Sequence, residues 1–202
     1  MEGAQTSLLT EARDAMAGAW RLLRGRADAI HNFDLSQRGL AGSFVPLVLA
    51  SVGFVAFLGL GNRGAHYGVS GAAILFVIGG LMALRYGAMR LLLPHFDALH
   101  LFRPHMVVSN WIHAIALVVM LVGTISLAYL GALVLGPSSG ETLVGMVLVL
   151  WGGITLAGLM MEVNTYRIVM SLAWSEVALV LGAQGVALAL GLTIAGSLPI
   201  YG

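Results

Sequence analysis

Residues 110–133 read NWIHAIALVVMLVGTISLAYLGAL. From Ile112 to Leu133 about 22 residues are almost wholly apolar, the length a helix needs to cross a bilayer. Asn110, Trp111 and His113 stand at the start of this stretch, where polar side chains need a physical reason. Four more membrane-length stretches occur, and little else remains. The chain therefore reads as all-α: a polytopic integral membrane protein with five transmembrane helices and an N-terminal amphipathic helix.

Composition agrees. Hydrophobic residues make up 59% and charged residues 9%, with mean hydropathy +0.94, whereas a soluble domain carries roughly 25% charged residues. A net charge of +1 gives no argument for nucleic-acid binding. All ten basic residues are Arg. With abundant Ala, Gly and Leu this suggests a GC-rich bacterial genome, and hence the bacterial inner membrane. There is no Cys, which excludes disulfides, iron–sulfur clusters and thiol catalysis. The first forty residues hold no leading apolar core of a signal peptide.

The expected organisation is a cytoplasmic segment, 1–39, and a five-helix transmembrane domain, 40–202. In the first, Leu8, Leu9, Ala12, Ala15, Met16, Ala19, Trp20, Leu22 and Leu23 recur at helical spacing. Arg13, Trp20, Arg21, Arg24 and Arg26 would face anionic head groups if this helix lies in the headgroup plane. A helix packed on the rest of the protein fits the same pattern. His31 to Ser36 breaks the helix, and Asp34 or Ser36 is positioned to cap the next. The spans are expected near 40–60, 69–92, 106–135, 143–161 and from 168 or 172 to 195. Pro46 falls early in the first, where it does least harm, and the third is long enough to require tilt or protrusion.

Arginine placement sets orientation. Nine of the ten Arg fall on alternate connectors, and only Arg63 lies on the other side. The N-terminus is expected in the cytoplasm and the C-terminus in the periplasm. Gly53, Gly59 and Gly61, then Gly152, Gly153 and Gly158, then Gly182 and Gly185, form small-residue stripes expected to pack helices closely within the chain.

The candidate polar cluster comprises Arg85, Arg90, Asn110, His113, Glu162, Asn164, Tyr166, Arg167 and Glu176. All are expected at the cytoplasmic end. Glu162 to Arg167 reads as a polar joint between spans four and five. Glu176 reads as two turns inside span five, where an ionised carboxylate is costly unless paired with Arg85, Arg90, Arg167 or His113. The cluster either clamps helix ends or lines a polar cavity for lipid head groups, ions or protons.

One resemblance covers the chain as a layout. Phe33-Asp34-Leu35-Ser36 and Gly39 precede span one. An aromatic and basic connector leads into Val107-Val108-Ser109-Asn110-Trp111. Tyr166-Arg167 precedes the last span. This order resembles bacterial members of the Yip-type five-helix membrane family, whose eukaryotic relatives bind Rab-like GTPases. The family's acidic N-terminal tract is replaced here by a basic one, so a Rab-type partner is not carried over. The resemblance implies a protein that organises membrane or assists a larger membrane complex, without catalysis.

Other chemistry is disfavoured. His95, His100 and His105 with Asp97 form a basic connector; a spacing of five does not place His residues on one helical face, and no metal is assigned. Haem needs facing His pairs within spans, and no phosphate-binding glycine loop occurs. Ser70 falls on the opposite side from His113, against a Ser–His protease. No cofactor is expected. The expected partners are membrane lipids, other membrane subunits or self, and not nucleic acid. The alternative is a homo-oligomeric channel or proton-linked carrier of a small solute, with Glu176 and Gln184 lining its path.

Overall fold

The structure is a computed structural model and describes residues 7–61, 71–135 and 140–197. Among these residues all regular structure is helical. Six α-helices occur: α1 (Leu8–Leu23), α2 (Gln37–Gly61), α3 (Gly71–Leu92), α4 (Phe102–Leu135), α5 (Gly140–Ile168) and α6 (Trp174–Ser197). The last five are each long and apolar enough to cross a membrane. The most buried of these span windows is only 28% buried within the chain. Their outward surfaces of Leu, Val and Ile therefore suit a lipid solvent, which costs apolar side chains nothing.

Helix α4 has 34 residues. At 1.5 Å per residue it is about 51 Å long, against a hydrocarbon core of about 30 Å. Its arginine-rich end serves as a packing surface. There the first turns of α4 and the last turns of α5 carry α1, and the chain's apolar core forms around Ala15, Ala19, Leu22, Phe33, Met89, Val107, Val108 and Tyr166. The first helix thus packs on the bundle through its small side chains, while Leu9, Met16 and Trp20 on its other side are exposed. The approach is close because residue 18 is Gly: a Cβ there would stand 2.5 Å from the Phe33 ring.

The entry into α2 explains the Phe33-to-Gly39 segment. The Asp34 carboxylate accepts the Ser36 amide at 3.0 Å, and Ser36 Oγ accepts the Gly39 amide at 3.2 Å. Ser36 is thus the N-cap. The turn is so tight that a Cβ on Gly39 would overlap the Asp34 carbonyl oxygen. Hydrogen bonds from Ser36 hold the Asp34 carboxyl below its ordinary range.

Helices α2, α4 and α5 pack as one group and α3 with α6 as another, with few contacts between α5 and α6 or between α3 and α4. Tight spots arise where Gly123 and Gly131 of α4 meet Leu150 and Leu143 of α5, and where Gly191 of α6 meets Leu81 and Leu84 of α3. The expected glycine stripes on α5 and α6 behave otherwise. At Gly152, Gly153, Gly158, Gly182 and Gly185 an added Cβ would meet nothing within 4 Å among the described residues. Gly53 sits at ordinary contact distance from Leu121. Gly59 and Gly61 belong to the last turn of α2, and their surroundings fall outside the described part of the chain.

Two boundaries differ from the sequence expectation. Helix α5 continues to Ile168, so Glu162 to Arg167 form its last turns rather than a joint. The chain reverses instead over residues 169–173, with Ser171 at φ 54°. Helix α6 then begins at Trp174, which puts Glu176 in its first turn and not two turns deep. Residues 62–70, including Arg63 and Ser70, lie outside the described residues.

Candidate functional site

Three helices bring their polar residues together just inside the arginine-rich end. On α4, His105, Ser109 and His113 recur every fourth residue and so share one face. On α5, Glu162 and Tyr166 do the same. Helix α3 supplies Arg85 and Tyr86.

The centre is an ion pair. Arg85 Nη2 bonds Glu162 Oε1, with both side chains nearly inaccessible. Arg85 Nη1 lies 2.6 Å from His113 Nε2, and His113 Nδ1 lies 2.6 Å from the Ser109 carbonyl oxygen. A carbonyl only accepts and a guanidinium only donates. Nδ1 therefore carries the proton and Nε2 accepts, which is a neutral imidazole in a fixed tautomer. Ser109 Oγ donates to Glu162 Oε2 at 3.4 Å. Tyr166 Oη approaches Glu162 Oε1 at 2.7 Å and Gln184 Oε1 of α6 at 3.0 Å. One phenolic proton serves one acceptor at a time, so Gln184 is the weaker-held partner, and its Nε2 has no hydrogen-bond partner among the described residues.

Two flanking groups extend the network. The Tyr86 hydroxyl donates to Asn110 Oδ1 at 2.6 Å, and Asn110 Nδ2 donates to Ser43 Oγ at 3.0 Å. This ties α3, α4 and α2 together. His105 is fully buried, stacks on the Tyr166 ring at 4.9 Å and 13°, and has its Nε2 3.5 Å from Glu162 Oε1. Neither of its ring nitrogens has a hydrogen-bond partner among the described residues.

The expected cluster is thus divided. Arg85, Asn110, His113, Glu162 and Tyr166 converge. Arg90 instead lies over the Phe102 ring at 5.7 Å. Asn164 donates to the Leu22 carbonyl at 2.7 Å and closes the end of α1. Arg167 bonds the Leu172 carbonyl at 3.1 Å and lies over Trp174 at 4.6 Å. Glu176 accepts the Ala173 amide at 2.7 Å, the return arm of a helix-capping box. It caps α6 and does not pair with Arg85, Arg90, Arg167 or His113. Tyr86, Ser43 and the inward-placed His105 join the site although the sequence does not single them out. The four-residue spacing of His105, Ser109 and His113 was the signal for the last. His95 and His100 are exposed, unlike the buried His105.

The N-terminal arginines are partly engaged. Arg26 holds Asp28 through two bonds of 3.0 and 3.1 Å, and Arg21 bonds Asn32 at 3.0 Å. Arg24 lies 4.4 Å over Trp20, and Arg13 is exposed. Hydrogen bonding from Arg26 lowers the Asp28 pKa. That pair is complete above the ordinary carboxylate range and is lost as pH falls through the lowered value.

A cavity of about 590 Å³ opens where the α3–α6 pair parts from α4 and α5. At the arginine-rich end it is floored by Arg85, His113, Glu162 and Gln184; beyond them it is walled by Ile78, Met120, Ile154 and Leu188. From Glu162 to Ile154 the depth is about 12 Å at 1.5 Å per residue. The volume lies in the range of small-molecule sites, about 300–1,000 Å³. The Ser109–His113–Glu162 grouping is not a nucleophilic triad. Ser109 is fully buried, and the His113 nitrogen on its side is committed to a backbone carbonyl.

Compared with known proteins, the chain matches no family model, no curated protein and no solved structure.

Proposed function

We propose that this chain is a non-enzymatic, multi-pass protein of the bacterial inner membrane, Yip-like in layout, with its N-terminus in the cytoplasm. It organises membrane, or serves a larger membrane complex, by holding a lipid-like molecule in the cavity between α3, α4, α5 and α6. The observation that carries this reading is the pairing of a polar floor, Arg85–Glu162 with His113, and apolar walls in one cavity within the spans. A mere helix clamp needs the ion pair but no adjoining space. A binding site for an amphiphile needs both.

The exposed Leu9, Met16 and Trp20 of α1 support a position at the membrane surface. The engagement of Arg21 and Arg26 with Asn32 and Asp28 weakens the electrostatic part of that attraction. The channel alternative gains no support from Gln184, which faces Tyr166 inside its own chain, or from Glu176, which caps a helix.

Mild extraction from the native membrane, followed by mass spectrometry of co-purifying proteins and lipids, tests the reading. Retained lipid, with or without a stable partner subunit, supports it. A lipid-free, symmetric homo-oligomer that passes ions in liposomes overturns it.

A further inference from the structure

A cavity that holds a lipid-like molecule must still select a kind of head group. The charges on its floor make that selection.

Arg85 brings one positive charge and Glu162 one negative, bonded to each other. His113 is held neutral, donating from Nδ1 to the Ser109 carbonyl and accepting at Nε2 from Arg85. The floor therefore sums to zero. A phosphate or carboxylate head could reach Arg85 only by displacing Glu162, leaving that carboxylate buried and unpaired. A cationic head would strand Arg85 in the same way. Breaking one side of a buried pair is among the costliest changes a protein interior can suffer. Gln184 adds a second condition. It lines the cavity, is 5% exposed, and its Nε2 has no partner among the described residues. Turning the amide over exchanges its oxygen and nitrogen and again leaves one polar atom without a partner. An uncharged hydrogen-bonding group satisfies it; an alkyl chain does not.

Building on the lipid-binding reading of the cavity, we infer that it takes a neutral amphiphile whose head carries a hydroxyl or carbonyl group. The head sits at Gln184 beside the Arg85–Glu162 pair, and the apolar tail runs toward Met120 and Leu188. Two membrane sources share this chemistry: glycerolipids with ester and hydroxyl groups, and isoprenoid quinones with ring carbonyls.

The test uses the purified full-length chain in mild detergent. Its unfolding temperature is followed against dioctanoylglycerol, decylubiquinone and lysophosphatidic acid, since a ligand that binds the folded state raises that temperature with concentration. One of the two neutral probes should give a saturable rise, and the tighter one names the source. Lysophosphatidic acid should bind at least about tenfold more weakly. Gln184→Leu should weaken the neutral probe by about tenfold, the worth of one buried hydrogen bond. Gly158→Leu should abolish the rise, because Gly158 lines the cavity with nothing within 4 Å of an added Cβ. Should that variant not fold, Gly185→Leu fills the same space from α6. Tightest binding by lysophosphatidic acid, blocked by Gly158→Leu, overturns the neutral head and leaves the cavity reading standing. No rise with any probe, or rises unchanged in both filled variants, overturns both.

Discussion

Arg85 of α3 and Glu162 of α5 are bonded across a seam where their two helix groups otherwise touch little. Their side chains are 11% and 6% exposed, so neither charge can turn to water. The pair joins the α3–α6 group to the α4–α5 group at one end of the cavity and is the floor of that cavity.

Removing one member strands the other. Glu162→Leu or Arg85→Met alone should destabilise the chain by about 3–5 kcal/mol, while Arg85→Met with Glu162→Leu should cost less than either single change. Unfolding in detergent, compared across the four proteins, checks this. Additive losses would show that the two side chains act independently.

Asn164 holds the end of α1 through the Leu22 carbonyl. Asn164→Ala should cost about 1 kcal/mol, the worth of one hydrogen bond. The loss should be local. Amide hydrogen exchange over 8–23 should speed up, while the spans stay protected. Equal acceleration throughout would mean that α1 is an integral part of one cooperative unit.

The glycines divide by what surrounds them. Gly39→Ala drives a methyl group into the Asp34 backbone and should cost about 1–3 kcal/mol or more. Gly152→Ala meets nothing and should be neutral, or stabilising by up to about 1 kcal/mol from helix propensity. Thermal unfolding of the two variants separates them, and a reversed order would contradict the described entry into α2.

Orientation rests on the arginine distribution. A reporter fused after Gly202 should be active on the periplasmic side, and one fused before Met1 in the cytoplasm. The opposite pattern would invert the protein and place the polar cluster at the outer face.

The spans were readable because lipid demands long apolar runs whatever their packing. The site was readable only in part. Arg85 and His113 stand out as polar groups at the ends of such runs, and Glu162 and Tyr166 as part of a polar joint between two of them. His105 did not, because Pro104 and the neighbouring His95 and His100 made it look like connector, although Pro104 falls in the first turn of α4, where proline is tolerated. Glu176 was misplaced because the reversal before α6 uses Ser171 at positive φ, a position that usually announces itself with glycine. The glycines of α5 and α6 read as packing stripes because sequence cannot tell a small residue facing a neighbour from one facing open space; Gly158 and Gly185 line the cavity.

Native mass spectrometry of the protein released from its own membrane shows whether the cavity between α3, α4, α5 and α6 is a binding site. The wild-type chain should carry one lipid-like adduct that survives collisional activation, and Gly158→Leu, folded to the same extent, should carry none. Identical adducts on the two proteins, or none on either, would contradict the account.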